Sequence, residues 1–100
     1  MPLAARLLSI CVLILAACDS PSPAFRNVPA QEITVAGFDF TVRQDGEVFE
    51  AIRTNPIPLH KRGMAGMAMV QAVEAVSGCQ VYVKGLQVDS AMGRGKLNCG

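Results

Sequence analysis

One histidine and a group of methionines form the segment whose side chains best suit metal chemistry. The decapeptide HKRGMAGMAM begins at His60, the single histidine of the chain. Imidazole nitrogen and thioether sulfur are ligands that Cu(I) accepts. Met69 belongs to the apolar face of a predicted helix, so the candidate copper ligands are His60, Met64 and Met67. They would share one face only if the helix extended back to His60, and Gly63 and the preceding prolines oppose this.

The same segment suits contact with a protein or a membrane. Met64 and Met67 are adaptable apolar side chains of the kind that serve binding surfaces. The neighbouring cations Lys61 and Arg62 belong to the same candidate partner contact. Grouped with Arg53 and His60 as one basic loop, they also suit anionic lipid headgroups. A plain solvated loop followed by unengaged methionines remains the simplest alternative.

Residues for catalysis are sparse. Ser77 and Ser90 lie in no nucleophile motif. Asp39 and Glu50 are expected to lie close together across a hairpin, as a solvated pair. We therefore expect no enzymatic activity and no cofactor.

The N-terminal residues have the pattern of an export signal. One cation, Arg6, precedes an apolar run of about eleven residues from Leu7 to Ala17. As a helix this run would measure roughly 16 Å, whereas a membrane-spanning helix needs about 20 residues. A basic start, a short apolar middle and small residues before a break are typical of a signal peptide. We therefore expect residues 1–17 to be removed.

The end of this run resembles the lipobox of bacterial lipoproteins. The residues that carry the resemblance are Leu15, Ala16, Ala17 and Cys18, and it covers residues 1–18 alone. It implies that Cys18 receives a diacylglyceryl group, becomes the first mature residue and anchors the chain in the membrane. By the same resemblance, Asp19 favours the inner membrane. The alternative is a soluble secreted protein with a chance cysteine.

Processing of this kind would leave two of the four cysteines. Cys11 would be discarded and Cys18 lipidated, so Cys79 and Cys99 remain in an exported chain, where disulfides persist. One bridge between them would close a loop of roughly 21 residues and stabilise the fold by about 3 kcal/mol. A thiol pair that binds metal is the alternative, but the spacing does not resemble a zinc site.

The charge balance argues against nucleic acid as a partner. The chain carries nine Lys and Arg against eight Asp and Glu. Loss of Arg6 with the signal would leave eight of each, so the mature chain has no strong field for polyanions.

The remaining residues divide into a tether and one small domain. Residues 18–31 hold the lipidated cysteine and a proline-rich, flexible tether, although Phe25 and Val28 also allow an arm packed on the domain. Residues 32–100 form the domain. Its first part predicts a hairpin with a turn at Asp45-Gly46, where glycine tolerates positive φ, and this register pairs Val42 with Phe49. A bulge or bend is expected near Ala36-Gly37.

The second half of the domain predicts a helix and two further strands. The helix should run from about Met64 to Ser77 and stop at Gly78, with one face formed by Ala65, Met69, Ala72, Val73 and Val76. Two strands should follow, the last a short one from Lys96 to Cys99, with Gly93 and Gly95 in the turn before it. The order β-β-α-β-β is an α+β domain with one helix on an antiparallel sheet and one disulfide.

The sequence as a whole favours a small lipoprotein with a structural or protein-interaction role in the cell envelope. It would be anchored through Cys18, face the periplasm and contact a further envelope protein through the helix or an open strand edge. A periplasmic copper-binding lipoprotein that uses His60, Met64 and Met67 is the alternative.

Overall fold

The computed structural model describes residues 21–100 and folds them into one antiparallel sheet with one α-helix against it. The helix α1 spans Arg62–Ser77. The strands are β1 (Ala30–Val35), β2 (Phe38–Asp45), β3 (Val48–Arg53), β4 (Gln80–Val81), β5 (Gln87–Val88) and β6 (Met92–Asn98). The predicted α+β class, with one helix on an antiparallel sheet and one disulfide, is confirmed.

The first part of the domain is a three-stranded meander, because the expected bend at Ala36-Gly37 is a complete turn. Both residues have positive φ, 53° and 82°, and Val35 pairs with Phe38 directly beyond them. Two positive φ values in a two-residue connection define a type I′ turn, whose twist suits a hairpin. The turn also explains why Ile33 and Val35 differ in parity from the phenylalanines, since Ile33 lies opposite Phe40 in the next strand.

The hairpin of β2 and β3 forms, but its predicted register is wrong by two residues. Val42 pairs with Ala51, Gln44 with Phe49, and Asp45 with Val48. The connection is therefore Gly46-Glu47, not Asp45-Gly46. A two-residue loop that begins with glycine is the arrangement of a type II′ turn, which suits the strand twist as well as type I′ does.

The last strand lies in the middle of the sheet. The strand order is β1-β2-β3-β6-β4, and β5 also pairs with β6. Gly93 and Gly95, expected in a turn, lie within β6 on the face toward the helix, where a Cβ on Gly93 would lie 2.6 Å from the Met69 sulfur. Glycine is needed here because the helix and the sheet approach closely.

The helix packs on one face of the sheet, as the spacing of its apolar residues predicts. Its buried residues are Ala65, Ala68, Met69, Ala72 and Val73, and Val76 packs partly against the core. From the sheet, the phenylalanines at 38, 40 and 49 join Val42, Ala51 and Leu97 in the same cluster. The helix begins two residues before the predicted start and ends at Gly78, which has the left-handed conformation typical of a C-cap.

The predicted disulfide between Cys79 and Cys99 is present, with the two Cα atoms 4.5 Å apart. It lies beside the pairing of Gln80 with Asn98, so it joins the start of β4 to the end of β6. The cross-link therefore holds the short strand β4 against the central strand.

The segment before β1 lies against the domain, and this favours the packed arm over the flexible tether for residues 22–31. Phe25 is buried at the end of a short 3₁₀ helix, Pro23–Phe25. The backbone N–H of Ser22 donates a hydrogen bond to Oε1 of Glu50, at 2.8 Å. The strand β1 begins at Ala30, two residues before the predicted start of the domain.

Candidate functional site

The copper-ligand candidates lie along one continuous helical stretch. His60 lies in a 3₁₀ helix, Leu59–Lys61, that runs directly into α1, so the expected break before Met64 is absent. All three of His60, Met64 and Met67 are exposed, and Met67 is 72% exposed. Met69 is fully buried in the core and is excluded as a ligand, as predicted.

The described residues contain no separate cluster of nitrogen, oxygen and thiolate ligands. Within residues 21–100, no three side chains of His, Cys, Asp or Glu lie together in a way that would hold a metal ion. The Cys79 and Cys99 sulfurs are bonded to each other and cannot act as thiolate ligands.

The carboxylates Asp39 and Glu50 do not form the expected pair. The observed register places Arg43 opposite Glu50, and Asp39 lies four residues from Arg43 along β2. The Asp39 carboxylate instead accepts a hydrogen bond from the Thr34 hydroxyl at 2.7 Å. Ser77 is also occupied, since its hydroxyl oxygen accepts from the backbone N–H of Cys79. These side chains therefore do not converge on one reaction centre.

Glu50 is a buried carboxylate, where the strand alternation predicts a solvated one. Its side chain is fully buried, and Nε of Arg94 lies 3.0 Å from Oε2. Arg43 and Arg94 are its partners in the two neighbouring strands. The other carboxylate oxygen, Oε1, accepts the hydrogen bond from the Ser22 N–H. Glu50 therefore fixes the start of the packed chain to the face of the sheet opposite α1.

Sequence reasoning missed Glu50 because its partners lie far away along the chain. The bond from Ser22 spans 28 residues, and Arg94 comes from the last strand. The one local signal was Phe25, an aromatic side chain in a segment otherwise typical of a linker.

The basic residues that were grouped in one loop are divided by the structure. Lys61 and Arg62 are exposed where α1 begins. Arg53 is the last residue of β3 and is half-buried. Its charge acts on Asp89, whose carboxylate accepts from the backbone N–H groups of Met92 and Ala91.

These contacts lower the pKa of Asp89 from its ordinary value of 3.8. The hydrogen bond from the Met92 N–H is the largest cause, the one from Ala91 follows, and attraction by Arg53 adds a smaller effect, while burial acts in the opposite direction. The Ala91 and Met92 nitrogens lie 2.7 and 2.8 Å from Oδ1. The charged form of Asp89 therefore stabilises the tight connection between β5 and β6 through these two hydrogen bonds.

An apolar groove lies between α1 and β5, on the helix side of the sheet. Its volume is about 390 Å³. Its lining is Gly66, Met67, Val70, Gln71, Leu86 and Val88. Met67, which lies outside the core face of the helix, forms one wall of this groove.

A second group of cavities lies around the N-terminal segment and the connection between β4 and β5. One, of about 500 Å³, is lined by Tyr82, Lys84, Gly85 and Lys96. The adjoining one, of about 410 Å³, shares Gly85 and Lys96 and is also lined by Phe25, Val48 and Arg94. No Asp or Glu lines either cavity. This basic surface is distinct from the one at Lys61 and Arg62.

Comparison with protein-family models, curated proteins and solved structures finds no match to this chain. Within residues 21–100, no helix is long and apolar enough to cross a membrane. The proposed lipidation site Cys18 and the proposed signal, residues 1–17, lie outside the described residues. The fold and the site define the class as a small α+β domain closed by a disulfide.

Proposed function

We propose that this chain is a lipid-anchored, non-catalytic interaction module of the bacterial cell envelope. Cys18 would carry the lipid, the domain would face the periplasm, and the inner membrane is favoured by Asp19. The observation that carries the interaction role is the apolar groove with Met67 on its wall. Support for an exported chain comes from the disulfide between Cys79 and Cys99, which is stable in an oxidising compartment.

The partner that suits this groove is a segment of another envelope protein with apolar side chains. Five of the six lining residues are apolar or glycine, and Gln71 alone is polar. A concave apolar surface with a flexible methionine adapts to side chains of different shape. Burying the exposed part of Met67 and Val88 against such a segment would remove apolar area from water, which favours association.

Two cations near the groove predict the charge of the partner segment. Lys61 and Arg62 are exposed at the N-terminal end of α1 and form no ion pair within the described residues. An acidic residue next to the apolar side chains of the partner would pair with them and orient the segment along the helix. The predicted partner segment is therefore both apolar and acidic.

Site-specific photocrosslinking in the native envelope tests this proposal. A benzophenone amino acid at position 67 should give one discrete adduct, and mass spectrometry should identify apolar residues beside Asp or Glu in the linked peptide. The same amino acid at Glu32, an exposed position of β1, is the matched control and should not give that adduct. No adduct from position 67, or the same adducts from both positions, would contradict the proposed role of the groove.

The alternative function is copper binding, and the continuity of the helical stretch favours it. His60, Met64 and Met67 are all exposed on residues 59–77, without the break that was expected between them. Calorimetric titration with Cu(I) should then give a dissociation constant below the micromolar range, and replacing both methionines by leucine should abolish binding. Absence of binding in that range would exclude this alternative.

A further inference from the structure

The packed chain begins very close to the proposed lipid. Ser22 is fixed to Glu50 by its backbone hydrogen bond, and Cys18 is four residues earlier in the sequence. Four residues span at most about 14 Å when fully extended. A lipid on Cys18 would therefore hold the domain close to the membrane surface, because the chain is packed on the domain from residue 22 onward.

The attachment point lies on the face of the sheet opposite α1. Phe49 and Ala51 belong to the core cluster that the helix covers, so Glu50, between them in β3, faces the other way. Ser22 lies against Glu50 and therefore on that far face. The short connection consequently favours a membrane on the sheet side and leaves the helix and its groove on the side away from it.

The cations around the N-terminal segment suit an anionic surface. Lys84, Arg94 and Lys96 line the two adjoining cavities, which contain no acid in their lining. Lys84 and Lys96 make no ion pair with any carboxylate of residues 21–100, and Arg94 remains 48% exposed although it pairs with Glu50. Each cation close to an anionic bilayer shifts the contact equilibrium about fivefold.

Exposed apolar side chains accompany these cations. Tyr82 and Val83 directly precede Lys84 in the connection between β4 and β5, and Val83 is 85% exposed. Tyrosine is favoured in the headgroup region, where its ring contacts acyl chains and its hydroxyl contacts water. A lysine can extend its charge to the headgroups while its stem lies along apolar surface.

We propose that this surface, formed by Tyr82, Lys84, Arg94 and Lys96, rests on the anionic phospholipids of the membrane that holds Cys18. The inference depends on the proposed lipid anchor, and it adds how the domain is oriented relative to the membrane. The two acyl chains of a diacylglyceryl group already suffice for stable membrane association, so the basic surface would determine the orientation of the domain on the membrane. The groove lined by Met67 then faces away from the membrane toward the partner.

Tryptophan fluorescence tests the orientation, because the chain contains no tryptophan of its own. The full processed protein is reconstituted in vesicles of phosphatidylethanolamine and phosphatidylglycerol that contain spin-labelled lipid. Tyr82→Trp should be quenched by this lipid, whereas Met67→Trp, exposed on the helix side, should not. Equal quenching of both, quenching of neither, or stronger quenching at position 67 would overturn the orientation.

Charge variants test the role of the cations with a matched control. The double change Lys84→Gln with Lys96→Gln, made in the Tyr82→Trp variant, should weaken contact with the membrane. The contact equilibrium should shift toward the free orientation by about 30-fold, and quenching should fall. Lys61→Gln with Arg62→Gln removes the same charge on the helix side and should leave quenching unchanged. An equal effect of both double variants, or an effect of the control alone, would contradict the assigned surface.

The two proposals fail in different ways. Intact mass spectrometry that finds no acyl group on Cys18 would overturn the lipid anchor and the orientation together. A Tyr82→Trp variant that is acylated and bound to vesicles, but whose fluorescence is not quenched, would overturn the orientation alone and leave the lipoprotein assignment in place.

Discussion

Glu50 and Arg94 form an ion pair of unequal exposure: Nε lies 3.0 Å from Oε2, and the arginine side chain is 48% exposed while the glutamate is fully buried. Removal of Arg94 would leave the buried Glu50 carboxylate without its ion-pair partner, so the cost of desolvating that carboxylate would no longer be offset. Arg94→Met should therefore lower the free energy of unfolding by about 1–3 kcal/mol. Urea denaturation followed by circular dichroism measures this. Lys96→Met, on the same strand and face, is the control and should lower the free energy of unfolding by less than half as much. Equal losses of stability in the two variants would refute the role of the ion pair.

Gly93 determines how closely α1 can approach the sheet. A Cβ at this position would lie 2.6 Å from the sulfur of Met69, which is fully buried and has little room to move. We expect Gly93→Ala to destabilise the fold by about 1–3 kcal/mol, the usual cost of overpacking. Gly63→Ala, where an added Cβ would meet no other part of the fold within 4 Å, should instead be neutral or stabilising. Thermal denaturation of the two variants checks this, and similar melting temperatures would contradict it.

Ala36 has a left-handed backbone conformation, with φ of 53°, in the turn between β1 and β2. This conformation costs an alanine roughly 1 kcal/mol more than it costs glycine or asparagine. Ala36→Asn should therefore raise the free energy of unfolding by about 0.5–1 kcal/mol. Chemical denaturation tests the change, and a loss of stability would mean that the turn has a different geometry in solution.

The disulfide should supply a large share of the stability. A loop that joins residues 20 apart predicts about 3 kcal/mol in the chain-entropy model. Reduction with dithiothreitol should lower the urea midpoint of the natural chain and leave that of the Cys79→Ser, Cys99→Ser variant unchanged. If reduction has no effect on the natural chain, the bridge contributes little.

Asp89 should make stability depend on pH at the acid end. Its pKa is lowered in the fold, so its stabilisation is present above the ordinary value of 3.8 and is lost as the pH falls through the native value. Asp89→Ala should cost on the order of 1 kcal/mol at pH 7 and progressively less at lower pH. Asp89→Asn keeps an acceptor oxygen without a charge and should show a smaller cost at pH 7. A pH-independent cost of Asp89→Ala would contradict the argument.

Local patterns predicted the helix, its end and the covalent link. The spacing of Ala65, Met69 and Ala72 identified the buried face of α1, and Gly78 identified its end. These features depend on residues that are neighbours in sequence, or, for Cys79 and Cys99, on a small number of cysteines.

The register and the buried carboxylate could not be predicted in the same way. Two adjacent pairs, Asp45-Gly46 and Gly46-Glu47, can each form a two-residue turn, and the choice shifts the hairpin by two residues. The burial of Glu50 depends on Ser22 and Arg94, which come from opposite ends of the domain. Such a site follows from the strand order, which no local pattern determines.

The central position of β6 has a consequence for how the fold is completed as the chain emerges N-terminus first, from the ribosome or across a membrane. Met92–Asn98 is the last of the strands to become available, yet it pairs with β3, β4 and β5. Until it arrives, β3 has an unpaired edge and the two short strands lack the neighbour that they share. Truncation of the final strand would therefore leave a meander and a helix with an open hydrophobic face, and quality-control proteases would be expected to degrade it.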